Sequence, residues 1–147
     1  MIPNTSLRSV YLYNRIIFVL SIIGIIIAFY VTQSFLRGSP IVCVNAGCEL
    51  VRKNPASFLW GVPVPAVGLV GYSMLTVFAF LRTLSESNFR KFLIAILAMA
   101  AFGVLFVGWF TYTELFIIKG VCTWCAISAV NMVVIFGLAV LSHHQLP

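Results

Sequence analysis

Four apolar runs, each long enough to cross a lipid bilayer, dominate the chain: Ile16–Leu36, Val62–Leu81, Phe92–Ile118 and Val121–Leu141. A hydrocarbon core about 30 Å thick is crossed by about 20 residues of helix. Backbone groups in lipid find no water, and a helix satisfies them within one segment. The period-two alternation of a membrane barrel is absent. The pattern predicts an all-α integral membrane protein, a four-helix bundle forming one domain over residues 1–147. The first run is longer than the apolar stretch of a signal peptide, and no Ala-x-Ala-like site follows it. It reads as a mature helix.

Composition agrees with that reading. Hydrophobic residues make up 62% of the chain and charged residues 8%, against about 25% charged in a soluble domain. Too little polar material remains to cover a water-facing surface. The nine cations leave a net charge of +6, but they are scattered at the margins of the apolar runs. Nucleic acid, which is held by clustered cations, is therefore not an expected partner; membrane lipid is.

Loop charges give the orientation. With both termini cytoplasmic, Arg8, Arg15, Arg82, Arg90 and Lys91 lie inside, whereas Arg37, Arg52, Lys53 and Lys119 lie outside. The excess is one residue in the direction of the positive-inside rule. Residues Arg82–Lys91 and Lys119–Gly120 are short turns, and Gly38–Gly61 is a long external loop between the first two helices. Its stretch Asn54–Trp60 carries Phe58, Leu59 and Trp60 together and is expected at the membrane interface as a lid.

The four cysteines fall as two pairs. Cys43 and Cys48 sit in the long loop, where Asn45 and Gly47 let the chain turn and bring the sulfurs within bonding range. Cys122 and Cys125 form a C-x-x-C at the start of the fourth helix, so both sulfurs share a face. A helix N-terminus favours a thiolate. Cys122, nearer water, suits attack by an outside thiol, and Cys125, one turn deeper, can face a hydrophobic oxidant. Three other readings stay open: free cysteines as small hydrophobes, a static loop disulfide, and a metal site. The last would need four thiolates or added imidazole, and the only histidines, His143 and His144, lie at the far end of the last helix.

Further candidates are fewer. Glu114 is the only carboxylate inside an apolar run, and such acids are functional candidates by default. Lys119 can anchor the helix end or favour a Cys122 thiolate. Trp109, Tyr112 and Phe116 recur at helical spacing and can flank a flat ring or serve as packing. Gly61, Gly68 and Gly71 are expected to allow close helix approach.

From Ile41 to Asn131 the sequence resembles the vitamin K epoxide reductase family in its short bacterial form. The resemblance rests on the loop pair Cys43 and Cys48 followed by Glu49-Leu50-Val51. It continues through Gly61-Val62-Pro63-Val64-Pro65, Gly68-Leu69-Val70-Gly71-Tyr72 and the closing Cys122-Thr123-Trp124-Cys125. It implies a four-helix bundle around a quinone (ubiquinone or menaquinone) with the loop folded above it. Cys122 and Cys125 would reduce the quinone, and Cys43 and Cys48 would relay electrons from a separate thioredoxin-like (DsbA-like) protein. It further implies a bacterial inner membrane with the cysteines on the outer side. The quinone contacts expected on this resemblance are Asn54, which stands where the family usually carries a quinone-contacting Ser, together with Phe58, Trp60, Trp109, Tyr112 and Phe116. The alternatives are a DsbB-like oxidase, whose C-x-x-C precedes its wider pair, and a non-catalytic membrane subunit with structural disulfides.

Overall fold

A computed structural model describes residues 4–146; positions 1–3 and 147, at the limits of the expected domain, lie outside the described residues. Helix α1 runs Asn4–Arg37, α2 Gly47–Lys53, α3 Val64–Leu84, α4 Phe89–Tyr112 and α5 Thr123–Gln145. Beyond Tyr112, α4 widens into a π-helical turn, Thr113–Ile118. The four long helices, α4 taken together with its extension, are long and apolar enough to cross a membrane.

They form a ring. α1 packs against α3 and α5, and α4 packs against the same two from the opposite side. Successive long helices alternate in direction, so the described ends, Asn4 and Leu146, lie at one end of the bundle. The cysteines lie at the other. Along α1 the inward face reads Val10, Asn14, Ile17, Ser21, Gly24, Ala28 and Val31, while Leu12, Val19, Ile23 and Ile26 point outward and are exposed. A three-and-four spacing with small residues inside is how helices approach closely in lipid. The exposed apolar stripe is surface for acyl chains.

α1 begins at Asn4, well before the expected Ile16, because its first turns are packed. Val10 is fully buried, and the Asn14 amide donates to Ala79 O and Thr83 Oγ1, both at 3.0 Å. Arg82, expected as a surface loop charge, is instead 1% exposed. Its guanidinium donates to Asn14 Oδ1 at 3.3 Å and lies 4.1 Å from the centre of the Phe89 ring, a cation–π contact that stabilises a desolvated charge. Asn131 ties α5 to α1 by donating to Leu20 O at 3.0 Å.

The segment between α1 and α3 has a structure of its own. After α2 comes a 3₁₀ turn at Pro55–Ser57, then strands β1 (Phe58–Leu59) and β2 (Val62–Pro63), paired antiparallel. Trp60 and Gly61 between the strands have φ of 52° and 83°. A two-residue hairpin loop of this kind needs positive φ at both positions. The turn leaves Trp60 96% exposed at its tip.

Candidate functional site

The site begins with two glycines that let α2 lie on the start of α5. A Cβ on Gly47 would collide with Val121 O, and one on Gly120 would press on the Leu50 side chain. With hydrogens there instead, the first turn of α2 settles onto Val121 and Cys122. Cys43 and Cys48 are joined in a disulfide, whereas Cys122 and Cys125 are free thiols. Cys48 and Cys122 are both fully buried, with their sulfurs 3.1 Å apart. Cys43 is half-buried at the outer side of this contact.

This arrangement corrects one expectation. Within the inner pair Cys122 is not the sulfur nearer water: α2 roofs it and it is fully buried, whereas Cys125 is half-buried. The sulfurs of Cys43, Cys48 and Cys122 lie within 4.8 Å of one another. With two of them in a disulfide, only Cys122 of the three retains a thiolate for a metal.

The two residues inside the C-x-x-C hold the loop pair down, a role that spacing alone did not reveal. Thr123 Oγ1 lies 3.2 Å from Cys43 Sγ, and Trp124 Nε1 donates to Val42 O at 2.7 Å. Tyr30 packs edge-on against Trp124, and its hydroxyl accepts from Val42 N at 3.2 Å. On α2, Glu49 Oε1 accepts from Ile41 N at 3.2 Å while its other oxygen meets Arg52 Nη2 at 2.6 Å. The Arg52 bond holds the Glu49 carboxyl below its usual range, against a smaller cost of desolvation.

Cys122 is the N-cap of α5. Its thiol is lowered from 9.0 to about 7, chiefly by the hydrogen bond from the Cys125 thiol. Burial opposes this, and the backbone N–H groups of Cys125 and Trp124 reinforce it. Unpaired amides at a helix start stabilise a thiolate. Behind Cys122, Glu114 is 1% exposed, and its Oε1 accepts from the Cys122 backbone N–H at 3.4 Å. The wide turn of Thr113–Ile118 turns Thr113, Glu114 and Ile118 inward while Leu115, Phe116 and Ile117 stay exposed.

One turn along α5, Cys125 lines a cavity of about 500 Å³ between the helices. Its walls include Val64, Gly68, Gly71, Met99, Phe102, Phe106, Phe110 and Met132, and the hydroxyl-bearing residues Thr111, Tyr72 and Ser128 also line it. The Tyr72 hydroxyl donates to Ser128 O at 2.9 Å. Gly68 and Gly71 have nothing within 4 Å of an added Cβ. They widen the cavity rather than bring helices together, contrary to expectation, and Gly61 serves the hairpin turn.

Not all expected site residues meet here. The structure brings together Cys43, Cys48, Cys122 and Cys125 but lines the cavity with none of the six expected ring contacts. Asn54 spends its side chain on the 3₁₀ turn, accepting from Ala56 N at 2.9 Å. Phe58 packs on Phe35, with ring centres 5.8 Å apart, and Trp60 projects outward. Trp109, Tyr112 and Phe116 lie on the exposed face of α4 and its extension, whereas Phe106 and Phe110 turn inward.

No curated protein matches the chain. A family model, that of the vitamin K epoxide reductase family, matches residues 15–140.

Proposed function

The chain belongs to the vitamin K epoxide reductase family, and from that premise we propose that it is a membrane thiol:quinone oxidoreductase that reoxidises a separate thioredoxin-like disulfide donor. The observation that carries the reading is the line of sulfurs. It runs from half-buried Cys43 through the buried 3.1 Å contact of Cys48 with Cys122 to Cys125 at the cavity wall.

Each transfer is thiolate–disulfide exchange through a mixed disulfide. A partner dithiol attacks Cys43, the accessible sulfur of the loop pair, and is released as a disulfide when its second thiol resolves the intermediate. Cys48 then attacks Cys122, with which it is already in contact, and expels Cys125. Closure of Cys43 on Cys48 leaves the outer pair oxidised and the inner pair as a dithiol, which is the state of the four sulfurs described above.

The cavity suits a quinone in size and character. Small-molecule sites run from about 300 to 1,000 Å³ and combine apolar walls with few polar groups. Phe106, Phe110 and Met132 would hold the ring and its tail, with Thr111 and Ser128 nearest in kind to its carbonyl oxygens. A quinone bound there supplies a two-electron, two-proton acceptor. Ubiquinone and menaquinone both fit this description. The bacterial inner membrane, with both termini cytoplasmic and the cysteines outside, is the setting we assign.

Thiol trapping in membranes tests the proposal. With dithiothreitol as reductant, added quinone should shift Cys122 and Cys125 from dithiol to disulfide, and Cys125→Ser should abolish quinone reduction. Undiminished quinone reduction by that variant would refute the assignment.

A further inference from the structure

Glu114 is a buried acid that the relay just described does not use. Burying a carboxyl is costly unless it is paired or has work to do. Among the described residues, no Lys, Arg or His lies within ion-pair distance of it; Arg52 and Lys53 on neighbouring α2 are both engaged by Glu49. The titratable groups nearest Glu114 are Cys122, whose backbone N–H donates to its Oε1 at 3.4 Å, and Cys125, three residues on in the same first turn of α5. Cys48, which covers Cys122 from α2, is in its disulfide. Glu114 is also presented by a π-helical turn, and such turns collect at functional positions.

From this geometry we infer that Glu114 is the proton-transfer residue of the inner cysteine pair, exchanging a proton with Cys125 Sγ. The inference rests on the thiol:quinone reading and adds a residue to it. Oxidation of the Cys122/Cys125 dithiol breaks two S–H bonds, forms one S–S bond and releases two electrons and two protons, the reducing equivalents of one quinol. The Cys125 proton leaves through the Glu114 carboxylate. In the preceding exchange Cys48 attacks Cys122, and Cys125 departs as a thiolate; it then takes a proton from the Glu114 acid. One buried carboxyl therefore serves both half-reactions at a place sheltered from water.

The test uses the full chain in liposomes, with dithiothreitol as reductant and a ubiquinone analogue as acceptor. E114Q keeps an oxygen to accept the Cys122 N–H but cannot carry a proton. Its quinone reduction should fall about a hundredfold near neutral pH, within the usual range for loss of a positioned acid–base group. The deficit should shrink as pH rises and hydroxide replaces the base, and E114D should recover part of the activity. A purely structural role would give a loss independent of pH. An active wild type with an unchanged E114Q overturns the role of Glu114 alone; a wild type that reduces no quinone overturns the functional reading and this role with it. If E114Q fails to fold, infrared difference spectra of the wild type decide. The chain has only three side-chain carboxyls, so a change in the carboxyl stretch of a buried acid between oxidised and reduced inner pair is assignable. Absence of such a change overturns the inference.

Discussion

The sulfurs of Cys48 and Cys122, 74 residues apart in sequence, lie 3.1 Å from each other inside the protein. Attack of one on the other therefore needs little movement of either backbone. In Cys43→Ser/Cys125→Ser protein, these two thiols should join spontaneously into one disulfide. Closing so long a loop constrains the unfolded chain by up to roughly 4.5 kcal/mol. The cross-link should appear as maleimide-resistant protein on non-reducing gels, with a raised melting temperature. Two free thiols under air would contradict the contact.

Acidity at Cys122 sets a pH window. Its thiol is lowered to about 7, so it is mostly neutral below that pH and mostly thiolate above. Its attack on Cys48, the reverse of the relay step, should slow about tenfold per pH unit below the midpoint and level off above it. Acid-quenched trapping of the mixed disulfide at a series of pH values measures this. A midpoint at the ordinary thiol value would show that neither the Cys125 hydrogen bond nor the helix-end amides lower this thiol.

Trp124→Phe keeps an aromatic ring beside Tyr30 and removes the 2.7 Å hydrogen bond to Val42 O. A bond of this kind contributes about 1 kcal/mol net. The segment around Cys43 should open several-fold more often, read as faster amide exchange at residues 41–44, and internal disulfide exchange should slow. Unchanged protection would show that Trp124 does not fasten the loop.

Filling the cavity should separate its two halves of function. Gly71→Leu places a side chain where an added Cβ meets nothing within 4 Å. Helix propensity favours the change by roughly 1 kcal/mol in the helix interior. Quinone reduction should drop at least about tenfold while dithiothreitol still reduces the Cys43–Cys48 disulfide at the normal rate. Equal loss in both assays would mean a folding defect rather than a blocked cavity.

Run length made the four spans legible in the sequence, but not where they end. Residues 4–15 look too polar for a span, and only their packing, through Val10 and Asn14, extends α1 across them. Cysteine spacing pointed to two pairs and their order. It could not show that α2 covers Cys122, since that depends on contact across the 74 residues separating Cys48 from Cys122. The aromatic stripe on α4 failed for another reason. Phe106 and Phe110 recur at the same helical spacing as Trp109, Tyr112 and Phe116, and a helix apolar all round carries no moment to say which set faces inward. Glycine was ambiguous in the same way: Gly68 and Gly71 make space, whereas Gly47 and Gly120 permit contact.

Because the long helices alternate in direction, residues 4 and 146 both emerge at the face remote from Cys43. A reporter or catalytic module tethered to either of these residues is therefore stranded across the bilayer from the reactive sulfurs. To deliver a module to Cys43 on the same polypeptide, the tether must include one more hydrophobic crossing of about 20 residues.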